Sequence, residues 1–313
     1  MLKNIMTQLK NCIHIIGFWK GSMLIFYFIL YYIFRFYPPL AFFFLSLKHQ
    51  IILNYLRELD KTKIVPIMKP KKEVSAKTIW MFWWQGEANM PELVRACIHS
   101  VKQHAGEYNV QLITKDNVIE YLDIPILSKV GKSITFIHFS DYIRLSLLKI
   151  YGGGWIDATI FLTQDIPVDL TTTDFYTIRH PRKTYFCVSD FRWGVSFLFA
   201  NKENKLISRV QELFTAFWEK NNESLDYFLM DYCFAYIIDT DKECKKILES
   251  VPYNNPLTYN GIADKLSQPY NLNEYKEIIK ATWVHKLSYK LPFKSNEKEL
   301  TYYDFIINTY NNI

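Results

Sequence analysis

The chain has 313 residues, half of them apolar and 17% aromatic, with a net charge of +6. That length holds one large domain or two small ones and supports a sizeable core. The lysines and arginines are too dispersed for a nucleic-acid stripe, so the modest positive charge suits an anionic membrane surface or a diphosphate ligand.

From the N-terminus, Gly21 to Phe34 is an uninterrupted apolar run, and extension back to Ile15 reaches the length that crosses a bilayer. A soluble core helix would show a polar face, and this run shows almost none. Membrane attachment by residues 1–60 is therefore expected, by spanning, re-entry or lying in the interface. No small-residue cleavage site follows, so a cleaved signal peptide is not expected. Basic residues from Arg35 to Lys72 outnumber those upstream, which keeps the main domain on the cytoplasmic face of the cell membrane. Residues 61–77, with Pro66 and Pro70, read as a linker to a domain over 78–313.

Thr78 to Trp84 is a β-rich run suited to a first core strand. Pro91 opens a helix through Ala105, Tyr108–Thr114 alternates as a second strand, and Asp116–Leu122 is a short helix. This alternation predicts an α/β, Rossmann-like nucleotide-binding sheet with flanking helices. Strands are expected at Phe175–Arg179, Tyr185–Val188 and Val195–Phe199. Helices are expected at Lys205–Glu219, at Ser224–Ile238 with Ser224 as cap, and at Lys242–Ser250. The tail from Tyr253 reads as loop-rich. The five cysteines form no C-x-x-C pair, so buried free thiols are expected rather than a zinc site or a disulfide framework.

Residues 133–165 carry most information. A buried helix presents Asp141 and Arg144 three apart on one face. Gly152 to Gly154 end it, because glycine takes left-handed angles without penalty. Asp141 lies roughly 15 Å before the turn at helical rise, and Asp157 roughly 13 Å beyond it at strand rise. If the strand folds back along the helix, two carboxylates and a guanidinium converge on one site. Such a group fits a ligand bearing hydroxyls and phosphate. The three glycines are no dinucleotide fingerprint, and no phosphate-loop Lys-Ser/Thr follows them.

The segment SDYIRLSLLKIYGGGWIDAT resembles the core of the capsular-polysaccharide and Och1-like glycosyltransferases, family GT32, with their S-D-x-x-R and Y-G-G-x-Y-x-D-x-D pattern. KTIWMFWWQG resembles the family's opening strand, and WVHKLSYK is a weaker third match. The resemblance spans residues 77–290 and implies a GT-A-like fold and an enzyme that moves a hexose from a nucleotide sugar, UDP-sugar favoured, with retention. The acceptor would be an oligosaccharide or lipid-linked saccharide of a bacterial capsule or surface polysaccharide.

On this reading Asp157, Asp141 and Arg144 are the catalytic candidates, with the Asp on sugar hydroxyls and the Arg on the diphosphate or donor sugar. Trp83 would stack on the base. Gln85, Gly86, Gly153, Gly154, Thr159, His285 and Lys286 are further substrate-binding candidates. The family's second motif carboxylate is Thr159 here, a poor ligand for a hard cation. Asp157 alone would take Mn²⁺ or Mg²⁺ with the donor's diphosphate, with Asp165 or His285 completing the shell, and the need for a metal stays open. His138 is expected as a satisfied core imidazole, and Asp226 and Asp231 as polar-face residues, Asp231 also as an acceptor-site candidate. Two other readings remain: a sugar-nucleotide-binding protein without transfer, and a membrane scaffold for other polysaccharide enzymes.

Overall fold

The computed structural model describes residues 2–63, 68–181, 187–290 and 299–310. Three helices come first: α1 (Leu2–Ile16), α2 (Phe18–Ile33) and α3 (Pro38–Thr62). The sheet-forming part follows with β1 (Thr78–Phe82), α4 (Glu92–Gln103), β2 (Asn109–Ile113), the single turn α5 (Val118–Tyr121) and α6 (Phe136–Tyr151). Then come β3 (Gly153–Ile156), β4 (Ile160–Leu162), β5 (Phe175–Thr177), β6 (Phe197–Ala200), α7 (Lys205–Lys220), α8 (Leu229–Thr240) and α9 (Lys242–Glu249). The chain finishes with α10 (Leu272–Ala281), β7 (Val284–Lys286) and α11 (Tyr302–Tyr310).

The main sheet runs β2-β1-β3-β6-β5. Strands β2, β1 and β3 are parallel, and β6 runs against both β3 and β5, so four of the five strands point one way. This is the mixed α/β architecture expected from the alternation of strands and helices. Period-2 alternation divides the sheet into two cores. Trp80, Trp155 and Leu198 face a layer built with α6, α7 and α8, while Ile79, Met81, Ile156, Phe197 and Phe199 face a second layer that includes α4 residues Val94 and Ile98. Strands β4 and β7 form a separate antiparallel pair.

The glycine run is where strand and helix meet at close quarters. Gly152 and Gly153 have φ of 70° and 89°, and a Cβ on Gly153 would stand 2.2 Å from the Thr78 carbonyl oxygen. A Cβ on Gly154 would enter the Phe199 ring at 2.5 Å. These glycines let β3 lie between β1 and β6 immediately after the helix ends. Thr135 caps the other end of α6, its hydroxyl accepting from the His138 backbone N–H.

Several expectations are corrected. No helix among the described residues is long and apolar enough to cross a membrane, because Gly17, at φ 84°, separates α1 from α2 and leaves only 16 residues of the apolar run in one helix. Ile52, Leu56 and Leu59 of α3 instead join the core containing Trp80 and Trp155. Lys48, counted above among the flanking charges, is buried and bonded to Asp226 at 2.6 Å. The helix expected from Ser224 begins at Leu229, because the Ser224 hydroxyl donates to the Asp226 carbonyl rather than capping. The tail holds α10, β7 and α11 rather than loop alone. Strands β5 and β6 are shorter than expected. Of the strand expected at 185–188, residues 185 and 186 lie outside the described residues, and Cys187 and Val188 sit in a bend and turn.

Candidate active site

Asp141, Arg144 and Asp157 come together as the hairpin-like geometry requires. The Arg144 side chain is buried; its Nη1 donates to Asp141 Oδ1 at 2.8 Å and its Nη2 to Asp157 Oδ1 at 2.7 Å. The guanidinium also sits over the Trp155 ring, 4.9 Å from its centroid. Trp155 Nε1 donates to Asp157 Oδ1 at 2.8 Å, and Lys286 Nζ reaches Asp157 Oδ2 at 2.6 Å. Burial alone would raise the Asp157 carboxyl, but Lys286 and Arg144 overcome it and hold the group down at about 2. Burial has the upper hand at Asp141, whose carboxyl is raised against the pull of Arg144.

Two cavities meet on this cluster, sharing Ile137, Asp141, Arg144, Asp157 and Tyr227. The first, of about 320 Å³, is walled by aromatic side chains, among them Trp83, Trp84, Phe136 and Tyr289, with Gln85 and Thr159. Strand β1 stops at Phe82, so alternation does not separate the next two tryptophans and both line the cavity, while Trp80 is core and donates to the Gly152 carbonyl. The second cavity, of about 330 Å³, is lined by Lys286, Ser189, Ser196, Trp193, Tyr259 and Asp231, among others. Trp193 Nε1 donates to Asp231 Oδ1 at 2.9 Å. Burial is the main reason that the Asp231 carboxyl is pushed up to about 7, and Asp141 adds to it.

Lys286 and His285 part company for a reason of strand geometry. Adjacent residues on β7 point to opposite faces. Lys286, in register with Ile160, turns toward Asp157; His285 turns into the core beside Phe161 and Thr163. Burial lowers His285 to about 4, and its ring lines neither cavity. The expectation that His285 meets a diphosphate or a metal is therefore overturned. Gly153 and Gly154 also line neither cavity, being packed between strands, and Gly86 turns the backbone at φ 80° outside both walls. Arg144 differs from its expected role too. With both terminal nitrogens taken by carboxylates, it holds Asp157 in place rather than reaching for a phosphate. Lys286, 29% exposed, is the cation within a ligand's reach.

The residues do not fit a protein-built cation site. Both oxygens of Asp157 already face cations, Thr159 supplies no carboxylate, and its carbonyl accepts the Leu287 N–H. Asp165 pairs with His104 at the surface, and among the described residues no group of three His, Cys, Asp or Glu side chains is placed to hold a metal. His138 is the satisfied imidazole expected, bonded to Thr135 and the Asp226 carbonyl. Asp226 is no polar-face residue, because it is buried against Lys48.

Sequence reasoning missed Tyr227, Trp193, Ser196 and Tyr259. In the segment DFRWG the backbone turns through Asp190 and Phe191, both at positive φ, which is uncommon for residues other than glycine. Nothing in the pattern tied that turn to Asp157.

A model of the capsular polysaccharide synthesis protein family matches residues 31–306. O-glycosyltransferase braB of Annulohypoxylon truncatum is 30% identical over 162 residues, which is 46% of this chain and 38% of that protein. Glycosyltransferase afumC of Aspergillus fumigatus is 26% identical over 123 residues, 36% of this chain and 32% of that protein. The chain thus spans about a third of the length of these curated relatives, both fungal. The solved structure titled PaToxG Glycosyltransferase aligns over 74% of this chain and 91% of its own at 12% identity and a TM-score of 0.34, too low to carry an argument. With the family match running through both cavity walls, this chain belongs to the capsular polysaccharide synthesis protein family.

Proposed function

We propose that the chain is a glycosyltransferase of GT-A-like fold that moves a hexose from a nucleoside diphosphate sugar to a saccharide acceptor. The observation that carries the reading is Asp157, fixed by Arg144, Lys286 and Trp155 where two cavities of different character meet. The aromatic cavity suits a base and ribose, with Trp83 or Trp84 offering a ring face. The second cavity, with hydroxyls and aromatic rings, suits the acceptor sugar. Asp157 then accepts hydrogen bonds from donor-sugar hydroxyls at the junction.

The chemistry needs positive charge where the leaving diphosphate becomes more anionic. Lys286 supplies it at a fixed position, and Arg144 keeps Asp157 aligned. Asp231 is placed to accept a hydrogen bond from the acceptor hydroxyl. The family's retention of configuration and a role in surface polysaccharide synthesis are part of this reading, which names no covalent nucleophile. Support comes from the glycosyltransferase relatives and from the chemistry of the site.

A thermal-shift panel of UDP-, GDP- and CMP-sugars, with Mn²⁺ and with chelator, tests it. A ligand that binds only the folded state raises the melting temperature. One donor class should do so, with chelator present, and should lose the effect in Lys286→Met. No shift from any donor under either condition overturns the proposal.

A further inference from the structure

The N-terminal helices leave an apolar face that no other described residue covers. On α2 the exposed side chains Trp19, Met23, Phe26, Ile29 and Ile33 recur three or four residues apart, so they share one side of the helix. Trp19 is 79% exposed, and Phe36 in the following turn is 85% exposed. Of the 21 large apolar side chains exposed among the described residues, 11 fall between Met6 and Phe43. The opposite side of α2 buries Gly21, Leu24 and Ile25, and Gly21 meets the α1 backbone so closely that a Cβ there would stand 2.6 Å from the Ile13 nitrogen. The hairpin is therefore packed on one side and greasy on the other.

Charge narrows the choice of occupant. Residues 1–57 contain no aspartate or glutamate, and Lys10, Lys20, Arg35 and Arg57 are exposed. The acids that reach this region, Glu58, Glu223 and the buried Asp226, are engaged by Lys61, His14 and Lys48. A second copy seated on the same face would set these cations against each other. An anionic bilayer offers both an acyl boundary for the stripe and phosphates for its basic rim. No described helix is both long and apolar enough to cross a membrane, so the contact lies in one leaflet.

We propose that α2 and the turn after it dock in the plane of an anionic membrane, with Trp19, Phe26, Ile33 and Phe36 at the acyl boundary and Lys20 and Arg35 on headgroup phosphates. This docking stands apart from the transfer reading, since it uses none of the site residues and needs no sugar donor.

The full chain is sedimented with vesicles of phosphatidylcholine alone or with roughly a third phosphatidylglycerol, at low and high salt. The protein should pellet with the anionic vesicles and be partly released by salt. Trp19→Glu with Phe26→Glu should weaken binding about tenfold or more without lowering the melting temperature, because both side chains are exposed. Brominated lipid should quench wild-type fluorescence, and Trp19→Phe should bind equally while losing most of that quenching. Absence of pelleting with either vesicle overturns the proposal. So does quenching that survives in Trp19→Phe, or a soluble dimer broken by the double variant without vesicle binding, which would assign the face to a second copy.

Discussion

Lys286 Nζ stands 2.6 Å from Asp157 Oδ2 across 129 residues of sequence. The antiparallel pairing of β7 with β4 makes the contact, because Ile160 and Lys286 are register partners. Lys286→Met should therefore lower turnover about 10²–10³-fold, the usual loss for one preorganised electrostatic group. Its melting temperature should fall only modestly, since Asp157 loses one of two cations that hold its carboxyl down but the lysine is partly solvated. Steady-state transfer or donor hydrolysis, set beside a melting curve, checks both halves.

Arg144 should behave in the opposite way. Arg144→Met leaves Asp141 and Asp157 facing each other without the guanidinium between them. Removing one partner from a buried ion pair costs about 3–5 kcal/mol, and here two carboxylates lose their partner. Chemical denaturation should show that loss, relieved in part by lowering pH, because protonating Asp141 and Asp157 removes the unpaired charge.

The acid limb of stability follows from Asp157. Its folded value of about 2 lies below the ordinary 3.8, so its contribution is present above 3.8 and is lost as pH falls through about 2. Asp157→Asn should abolish transfer and flatten that limb in melts across the acid range. Wild-type turnover in the variant would remove Asp157 from the site.

Asp231 gives the reverse sign. Its folded carboxyl is raised to about 7, so stability is lost as pH rises from the ordinary 3.8 to about 7 and is level above that. Asp231→Asn can still accept from Trp193 and carries no buried charge. It should melt higher than wild type at alkaline pH, with the gain vanishing below 3.8. Equal melting curves across the whole range would show that Asp231 ionises freely in the fold.

The convergence of Asp141, Arg144 and Asp157 was legible because local geometry decides it: a helix, a turn and a strand within one stretch of chain. The parallel placement of β1 and β2 followed from alternation for the same reason. Lys286 and His285 show the limit. Both stand in one short motif, yet only the register of β7 against β4 decides which enters the site. Apart from Asp231, named as an acceptor-site candidate, the second cavity was less legible still, since the segments carrying Trp193, Ser196 and Tyr259 meet only through tertiary packing. The apolar run misled in one respect. Its length back to Ile15 suggested a span, but Gly17 breaks it between two helices, and Lys48 finds a buried partner in Asp226 that no local pattern announces.

That buried pair is itself open to test. Lys48 and Asp226 are 7% and 4% exposed at their side chains and join α3 to the segment ahead of α8. Asp226 Oδ1 also accepts the Phe228 N–H, so this bond positions neighbouring Tyr227 in the wall of both cavities. Lys48→Met strands the carboxylate and should cost about 3–5 kcal/mol. Adding Asp226→Asn keeps an acceptor for Phe228 while discharging the site, so the double variant should regain most of that loss in denaturant melts. If the two losses simply add, the ion pair does not couple α3 to the sheet-forming part, and the N-terminal helices are held by their apolar contacts alone.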